Sequence, residues 1–225
     1  MDFRIPFGTW IETGKDWIEN NLDWLLSFLG DLWTGMYDAV NWVFATPPAI
    51  AIIIVLAVAA LFARGWKFAL GTVAGLVFII GVDQWENSMD SLSLVLVSAV
   101  LALLLGIPLG IWAARNQHVS NIVKPVMDFL QTMPAFVYLI PAIAFFGVGV
   151  APGIFATVLF AIAPGVRLTE LGIRNVDKEV VEAGQAFGAS PRRILRQIQL
   201  PLAMPSIMAG VNQVIMLSLS MVVIA

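Results

Sequence analysis

Residues 92–113 read LSLVLVSAVLALLLGIPLGIWA and contain no charged side chain. About 20 mainly apolar residues let a helix cross the hydrocarbon core of a bilayer, so this run is long enough to span it. The whole chain has the same character: 60% of its 225 residues are hydrophobic and 12% are charged, with a mean hydropathy of +0.90. An average soluble domain is about 25% charged. The composition excludes an ordinary soluble protein and predicts an all-α integral membrane protein, because a helix satisfies its own backbone hydrogen bonds in lipid.

Six apolar stretches separated by short polar breaks are the candidate spans. They lie at residues 43–63, 66–82, 92–113, 129–148, 150–166 and 206–225, with residue 48 as an alternative start of the first. The first two are short and closely joined, so a shallow hairpin that does not fully cross stays open. Glycines four residues apart fit helix contacts between small residues at three places, namely Gly71/Gly75, Gly106/Gly110 and Gly149/Gly153.

The basic residues indicate the orientation of the spans. Cytoplasmic loops are enriched in Lys and Arg, and ten of the 12 basic residues fall in alternate connections. They are Arg64, Lys67, Arg115, Lys124, Arg167, Arg174, Lys178, Arg192, Arg193 and Arg196. These connections are therefore expected in the cytoplasm, and the acidic N-terminal segment is expected outside.

The N-terminal segment, residues 1–42, has an amphipathic pattern. Its apolar residues recur at steps of three and four from Ile18 to Val40, and its acidic residues avoid that stripe. Tryptophans at five positions favour the level of the lipid headgroups. We expect either a helix lying in the membrane interface or a helix packed against the spans, broken near Gly30 or Gly35. Residues 43–84 then form two accessory helices, and residues 85–225 form the core.

Chemically reactive groups are sparse. The chain has no cysteine, and its only histidine, His118, stands in a basic loop, so a single imidazole has no partners for a metal site or a catalytic triad. We predict no catalytic residue and no metal ligand, and the net charge of −3 argues against a nucleic-acid partner. Asp128 is expected to pair with Lys124. The shortage of ionisable residues within the spans disfavours an ion-coupled secondary carrier.

The connection at residues 167–205 is predicted to form two short helices. Asp177 is expected to cap the first, and Gly188 to end it in a left-handed conformation. Ser190 and Pro191 suit the start of the second helix, and the Leu200-Pro201 step is expected to stop it. The inner face of the first helix is predicted at Val180, Val181, Gly184 and Phe187. The second is predicted to have an apolar side at Ile194, Leu195 and Ile198 and a cationic side at Arg192, Arg193 and Arg196.

A family resemblance lies in this connection. Glu182-Ala183-Gly184, followed at fixed spacing by Gly188, Ile198 and Leu200-Pro201, resembles the EAA motif of binding-protein-dependent ABC importer permeases. The one departure is Gly184 in place of the usual second alanine. Residues 131–139, 187–192 and 199–205 look like the membrane subunit of proline/glycine betaine importers. Such permeases continue for at least one more span, so the resemblance predicts a type I importer fold truncated at the C-terminus.

The resemblance implies an importer subunit with no catalysis of its own in a bacterial cytoplasmic membrane. It implies that ATP and Mg²⁺ bind two copies of a partner ATPase subunit, and that a second copy of this permease, an extracytoplasmic binding protein or domain, and membrane lipid are the other partners. Its coupling residues map to Glu182, Ala183, Gly184, Gly188, Ala189, Ser190, Pro191, Arg192, Ile198, Leu200 and Pro201. The candidates along the substrate path are Tyr138, Phe136, Gln131 and Asn212. Glycine betaine or proline betaine is the expected cargo, and choline, carnitine, methionine or a sulfonate is the alternative.

Overall fold

A computed structural model describes residues 7–225, so the first six residues of the predicted N-terminal segment lie outside the described part. The regular elements of that part are all helical, and it contains no strand, which confirms the all-α prediction. The helices are α1 (Phe7–Ala45), α2 (Ala49–Arg64), α3 (Trp66–Gly81), α4 (Trp85–Arg115), α5 (Gln117–Thr132), α6 (Phe136–Phe146), α7 (Val150–Arg174), α8 (Lys178–Ala186), α9 (Pro191–Ile194) and α10 (Leu200–Val222). A π-helical turn, Leu195–Gln199, joins α9 to α10.

Three helical stretches within residues 7–225 are long and apolar enough to cross a membrane: α4, α7, and the run Pro191–Val222 that includes α10. Two bent pairs raise the number to five if each pair is one span, with bends of 95° between α1 and α2 and 98° between α5 and α6. The candidate span at 129–148 is not one continuous helix, because the 98° bend between α5 and α6 falls within it. Met133 is extended (φ −81°, ψ 139°) because the residue before a proline, here Pro134, is sterically biased away from the helical region.

The core consists of α4, α7 and α10, packed through small side chains. Ala102, Ala161 and Ala163 are fully buried, and Val166 and Val214 fill the space between them. Gly110 brings α4 so close to α7 that a Cβ atom there would lie 2.6 Å from the Val166 carbonyl oxygen. Of the three glycine pairs, the Gly106/Gly110 pair therefore makes a close helix contact. At Gly71, Gly75 and Gly149 a Cβ would meet no described atom within 4 Å.

Helix α1 is continuous through Gly30 and Gly35, so the predicted break there is wrong. It ends before Pro47 and Pro48, which lack the backbone N–H groups that would continue it. Its second half packs on protein: Tyr37 is buried with Val97 of α4 and Ile154 of α7. The Asn41 amide donates a hydrogen bond to Asp90 (3.1 Å), and the Ser93 hydroxyl donates one to Asn41 (3.3 Å).

The two halves of helix α1 differ in their surroundings, and the second half has the expected packing against the spans. Tyr37 and its neighbours pack against the spans, whereas Trp10, Trp17, Trp24 and Phe28 in the first half are each more than half exposed. Only the second half of α1 is therefore fixed by contacts with the core.

Candidate functional site

Helix α8 begins and ends as the sequence predicts. The Asp177 carboxylate accepts a hydrogen bond from the backbone N–H of Glu179 (2.9 Å). At the other end Gly188 has φ +77°. The Ala189 N–H donates to the Gly184 carbonyl (3.1 Å) and the Gly188 N–H donates to the Gln185 carbonyl (2.8 Å). This pair of bonds is the Schellman arrangement, in which glycine is the favoured left-handed residue.

The α8–α9 hairpin, taken together with the π-helical turn as residues 178–199, contains a narrow contact between α8 and that turn. A Cβ atom at Gly184 would lie 2.6 Å from Cδ1 of Ile198, so a larger side chain at this motif position would require the Ile198 side chain to move. Val181 also faces inward, beside the buried Ile173 and Leu195.

The predicted inner face of α8 is wrong at two of its four positions. Phe187 is 92% exposed and Val180 is 42% exposed, because α8 packs mainly on α9 and the π-helical turn, which cover only one stripe of it. Phe187 instead projects from the turn as an uncovered aromatic ring.

Helix α9 has the predicted polarity. Ile194 and Leu195 are buried, Ile198 is half-buried, and Arg192, Arg193 and Arg196 are exposed. Pro191 occupies the first turn as expected, although within the described part of the chain Ser190 makes no side-chain capping hydrogen bond. The exposed surface of the hairpin therefore combines one aromatic ring, Phe187, with three guanidinium groups.

The expectation that Leu200-Pro201 stops the second helix is wrong. Residues 191–222 are helical without interruption, and Pro201 stands in the first turn of α10. Proline removes one N–H donor and its ring clashes with the preceding turn of an α-helix. The π-helical turn widens that preceding turn, and the Leu200 N–H bonds back to the Leu195 carbonyl, so the ring fits without ending the helix.

A buried ionic network lies beside the base of the hairpin. Glu170 of α7 is 4% exposed. It accepts a hydrogen bond from the Ser120 hydroxyl (2.7 Å). It also forms ion pairs with Nε of Arg174 (2.8 Å) and Nζ of Lys124 (3.4 Å).

The expected Asp128–Lys124 pair is therefore wrong: Asp128 pairs with Arg167, and Lys124 turns to Glu170. Local spacing favours the Asp128–Lys124 pair, since the two residues are four apart on one helix, but the actual partners of both lie on α7. Glu170 was missed by sequence reasoning. Its spacing of four residues before Arg174 was the available signal.

The four candidates for the substrate path lie in different surroundings. Tyr138 is 6% exposed, its hydroxyl donates to the Leu130 carbonyl, and its ring centroid is 6.3 Å from that of Phe160. Phe136, Gln131 and Asn212 are exposed. The structure places Tyr138 in the interior, tying α6 to α5 across the 98° bend, and the other three on the surface. His118 is exposed in the first turn of α5.

The described chain is a bundle of apolar helices with a short polar hairpin between two of its spans, an architecture that suits a membrane transport permease. The chain belongs to the family of binding-protein-dependent transport system inner membrane components, which residues 106–225 match. That match includes the whole of the α8–α9 hairpin and the Glu170 network.

Curated relatives extend the similarity toward the N-terminus. The chain is 45% identical over 225 residues to the glycine betaine/carnitine transport permease protein GbuB of Listeria monocytogenes, covering 98% of this chain and 79% of that protein. It is 41% identical over 221 residues to the glycine betaine/proline betaine transport system permease protein ProW of Escherichia coli, covering 98% of this chain and 62% of that one. The glycine betaine transport system permease protein OpuAB of Bacillus subtilis is 46% identical over 178 residues, 79% of this chain and 63% of that protein.

Proposed function

We propose that this chain is the membrane subunit of an ATP-driven importer for glycine betaine and related quaternary ammonium solutes. The observation that carries the proposal is the α8–α9 hairpin: a Schellman turn at Gly188 presents the 92% exposed Phe187 beside three exposed arginines. An aromatic ring and guanidinium groups are the side chains most enriched at protein interfaces. The hairpin therefore suits docking into a groove of a cytoplasmic ATPase subunit.

The energy for transport comes from the partner in this proposal. ATP and Mg²⁺ bind to two ATPase subunits, whose closure rocks two permease copies between inward-open and outward-open states. Shifting such an equilibrium from 1:99 to 99:1 requires about 5.5 kcal/mol of differential binding. In this proposal a nucleotide-driven interface supplies that energy through the hairpin.

A second copy of the chain is proposed as the neighbour of α10. Asn212 and Gln213 lie in the middle of this helix and are both exposed in the single chain. Amide side chains in a membrane helix favour hydrogen bonds across a helix interface over contact with lipid. The acidic N-terminal segment is proposed to lie outside the cytoplasm, opposite the basic hairpin, with its exposed tryptophans at the lipid headgroups.

The cargo follows from the relatives. Glycine betaine is in the names of three relatives at 41–46% identity, whereas permeases named for carnitine alone or choline are 34% and 31% identical over shorter stretches. High-affinity selection is proposed to reside in an extracytoplasmic binding protein or domain, because Tyr138 has its hydroxyl engaged by Leu130 and Phe136 points away from it onto the surface.

Reconstitution in proteoliposomes tests the function. The permease is purified with its ATPase subunit and binding protein, and uptake of radiolabelled glycine betaine is measured with ATP enclosed. We expect uptake that requires ATP and both partners. Uptake that follows a sodium or proton gradient without ATP would contradict the proposal and favour a secondary carrier. Competition by choline, carnitine, methionine and a sulfonate ranks the cargoes.

Docking is tested separately by copurification of the ATPase subunit. Phe187→Ala is expected to weaken it, because the exposed ring is the apolar centre of the docking surface. Phe62→Ala is the matched control, since Phe62 of α2 is likewise exposed (86%) but lies away from the hairpin. If both variants recover the same amount of the ATPase subunit, Phe187 is not part of the docking surface.

A further inference from the structure

The Glu170 carboxylate is the centre of a contact between α5 and α7 that the docking surface does not use. It is 4% exposed and has three partners: the Ser120 hydroxyl at 2.7 Å, Nε of Arg174 at 2.8 Å and Nζ of Lys124 at 3.4 Å. A buried carboxylate is stable only when such partners remain in place. The network therefore fixes the position of α5 relative to α7.

Arg174 extends the network to a third helix. Its two terminal nitrogens donate to the Gln117 side-chain carbonyl (2.8 Å) and to the backbone carbonyl of Ala113 (2.9 Å). The end of α4, the beginning of α5 and the end of α7 are thus joined through one ion pair. Planar guanidinium groups suit this role because they hold several acceptors in a fixed geometry.

This junction lies at the base of the hairpin. Helix α7 ends at Arg174 and α8 begins at Lys178, and Val176 in the short link between them is buried with Ile173 and Leu195. A Cβ atom at Gly172 would lie 2.8 Å from Cβ of Ser206, so α7 is also seated closely on α10. A displacement of the hairpin therefore moves the end of α7 with it.

Helix α5 leads from the network to the bent joint of the spans. It begins at Gln117, beside Arg174, and ends at Thr132, where the 98° bend into α6 follows. Val123 and Met127 are buried in the apolar core, so α5 stays attached without the network. What the ion pair adds is a directional, rigid connection near the hairpin.

We propose that Glu170 is a positioning residue that links α5 to α7, so that movement of the α8–α9 hairpin reaches the α5–α6 bend. The inference rests on the proposed function, since it assigns the hairpin to ATPase coupling. Glu170 touches neither nucleotide nor solute in this role. It keeps α5 moving with α7, and its loss lets ATP hydrolysis run without displacing the bend.

The variant Glu170→Gln tests this in the reconstituted complex. Glutamine has a similar size and keeps an acceptor for Ser120, but it removes the charge that holds Arg174 and Lys124. We expect ATP hydrolysis and ATPase copurification to persist, while the amount of solute imported per ATP falls about tenfold, within the range of coupling mutations. A ratio within twofold of the wild-type value overturns the proposal.

Asp128→Asn is the matched control. The Asp128–Arg167 pair joins the same two helices, but its side chains are 63% and 38% exposed, and exposed ion pairs contribute little. We expect the import-to-hydrolysis ratio of this variant to equal that of the wild type. If the import-to-hydrolysis ratio falls equally in both variants, the proposal is also overturned, because a general change of charge would then explain the loss.

A second measurement does not depend on transport. Spin labels are placed at positions 122 and 190, both exposed, on α5 and on the hairpin turn of the purified permease, which has no native cysteine. We expect one narrow distance distribution in the wild type and a broadened one in Glu170→Gln. An unchanged distribution refutes the link even if import is lost. Broadening in a permease that shows no betaine uptake upholds the link and refutes only the proposed function.

If Glu170→Gln fails to fold, a chemical cross-link between α5 and α7 tests the same link. In the double variant Ser120→Cys, Glu170→Cys, a short bifunctional thiol reagent joins α5 to α7 directly. We expect cross-linking to narrow the distance distribution and to restore the ratio of import to hydrolysis. Restored thermal stability with a ratio that stays low would show a merely structural role and overturn the proposal.

Discussion

Gly110 is the point where α4 comes closest to α7, and Gly110→Ala measures how tightly the core is packed. A Cβ atom there would lie 2.6 Å from the Val166 carbonyl oxygen and 2.7 Å from Cβ of Thr169, whereas ordinary contacts begin at 3.4 Å. The helices must therefore separate by about 0.8 Å in a core that is close-packed elsewhere. Overpacking of this kind costs about 1–3 kcal/mol in the free energy of unfolding.

Thermal unfolding of the purified protein, followed by tryptophan fluorescence, is the assay. A loss of 1 kcal/mol lowers Tm by about 2–4 °C in a chain of this size, so Gly110→Ala is expected to lower Tm by about 2–12 °C. Gly106→Ala should give a smaller fall, since its nearest contact is 3.3 Å from the Ile162 carbonyl oxygen. Gly75→Ala, with no described atom within 4 Å of its Cβ, should give no fall, because alanine is the better helix former. Equal Tm values for Gly110→Ala and Gly75→Ala would refute the close contact.

Three further predictions concern the hairpin, a helix cap and the topology. Gly188→Val is expected to uncouple transport while the amount of permease in the membrane stays normal, because a β-branched residue is strained at φ +77°. Asparagine tolerates that conformation better, so Gly188→Asn should keep more activity in the same uptake assay. Asn116→Ala should lower the free energy of unfolding by about 1 kcal/mol, measured by thermal unfolding, because the Asn116 side chain accepts hydrogen bonds from the first N–H groups of α5 (2.9 and 3.4 Å). Single cysteines at positions 86, 118 and 190, all exposed, should react with an impermeant thiol reagent from outside at 86 and from the cytoplasm at 118 and 190; labelling of all three from one side would contradict the orientation.

Local signals were sufficient where a feature depends on a few neighbouring residues. The Asp177 cap and the left-handed Gly188 each need only one residue type in the right place, and both are confirmed. The apolar and cationic sides of α9 follow from helical periodicity in the same way. The all-α membrane fold follows from the composition together with the apolar runs of about 20 residues.

Features that depend on distant partners were not predictable from spacing. Asp128 has Lys124 one turn away, but α7 brings Arg167 to it. Glu170 connects two helices because Ser120 and Lys124 of α5 lie beside it. The 98° bend requires the extended conformation at Met133, and Pro201 continues a helix only because a π-helical turn precedes it. The two ion pairs are decided by tertiary packing, which the sequence pattern does not display. The bend and the passage through Pro201 instead follow from local backbone geometry.

The π-helical turn at residues 195–199 also sets the rotational phase of α10. A π-turn holds one residue more than an α-turn, and each residue of an α-helix advances the side-chain direction by about 100°. Deleting one residue within 195–199 would convert the turn to α geometry and keep the buried stripe from Ala203 to Met221 facing α7, but the Pro201 ring would then clash with the preceding turn. The same deletion after Ala203 would rotate the rest of that stripe by about 100° toward lipid. The extra residue of the π-turn therefore serves two purposes: it makes room for Pro201, and it sets the direction in which the buried stripe of α10 faces.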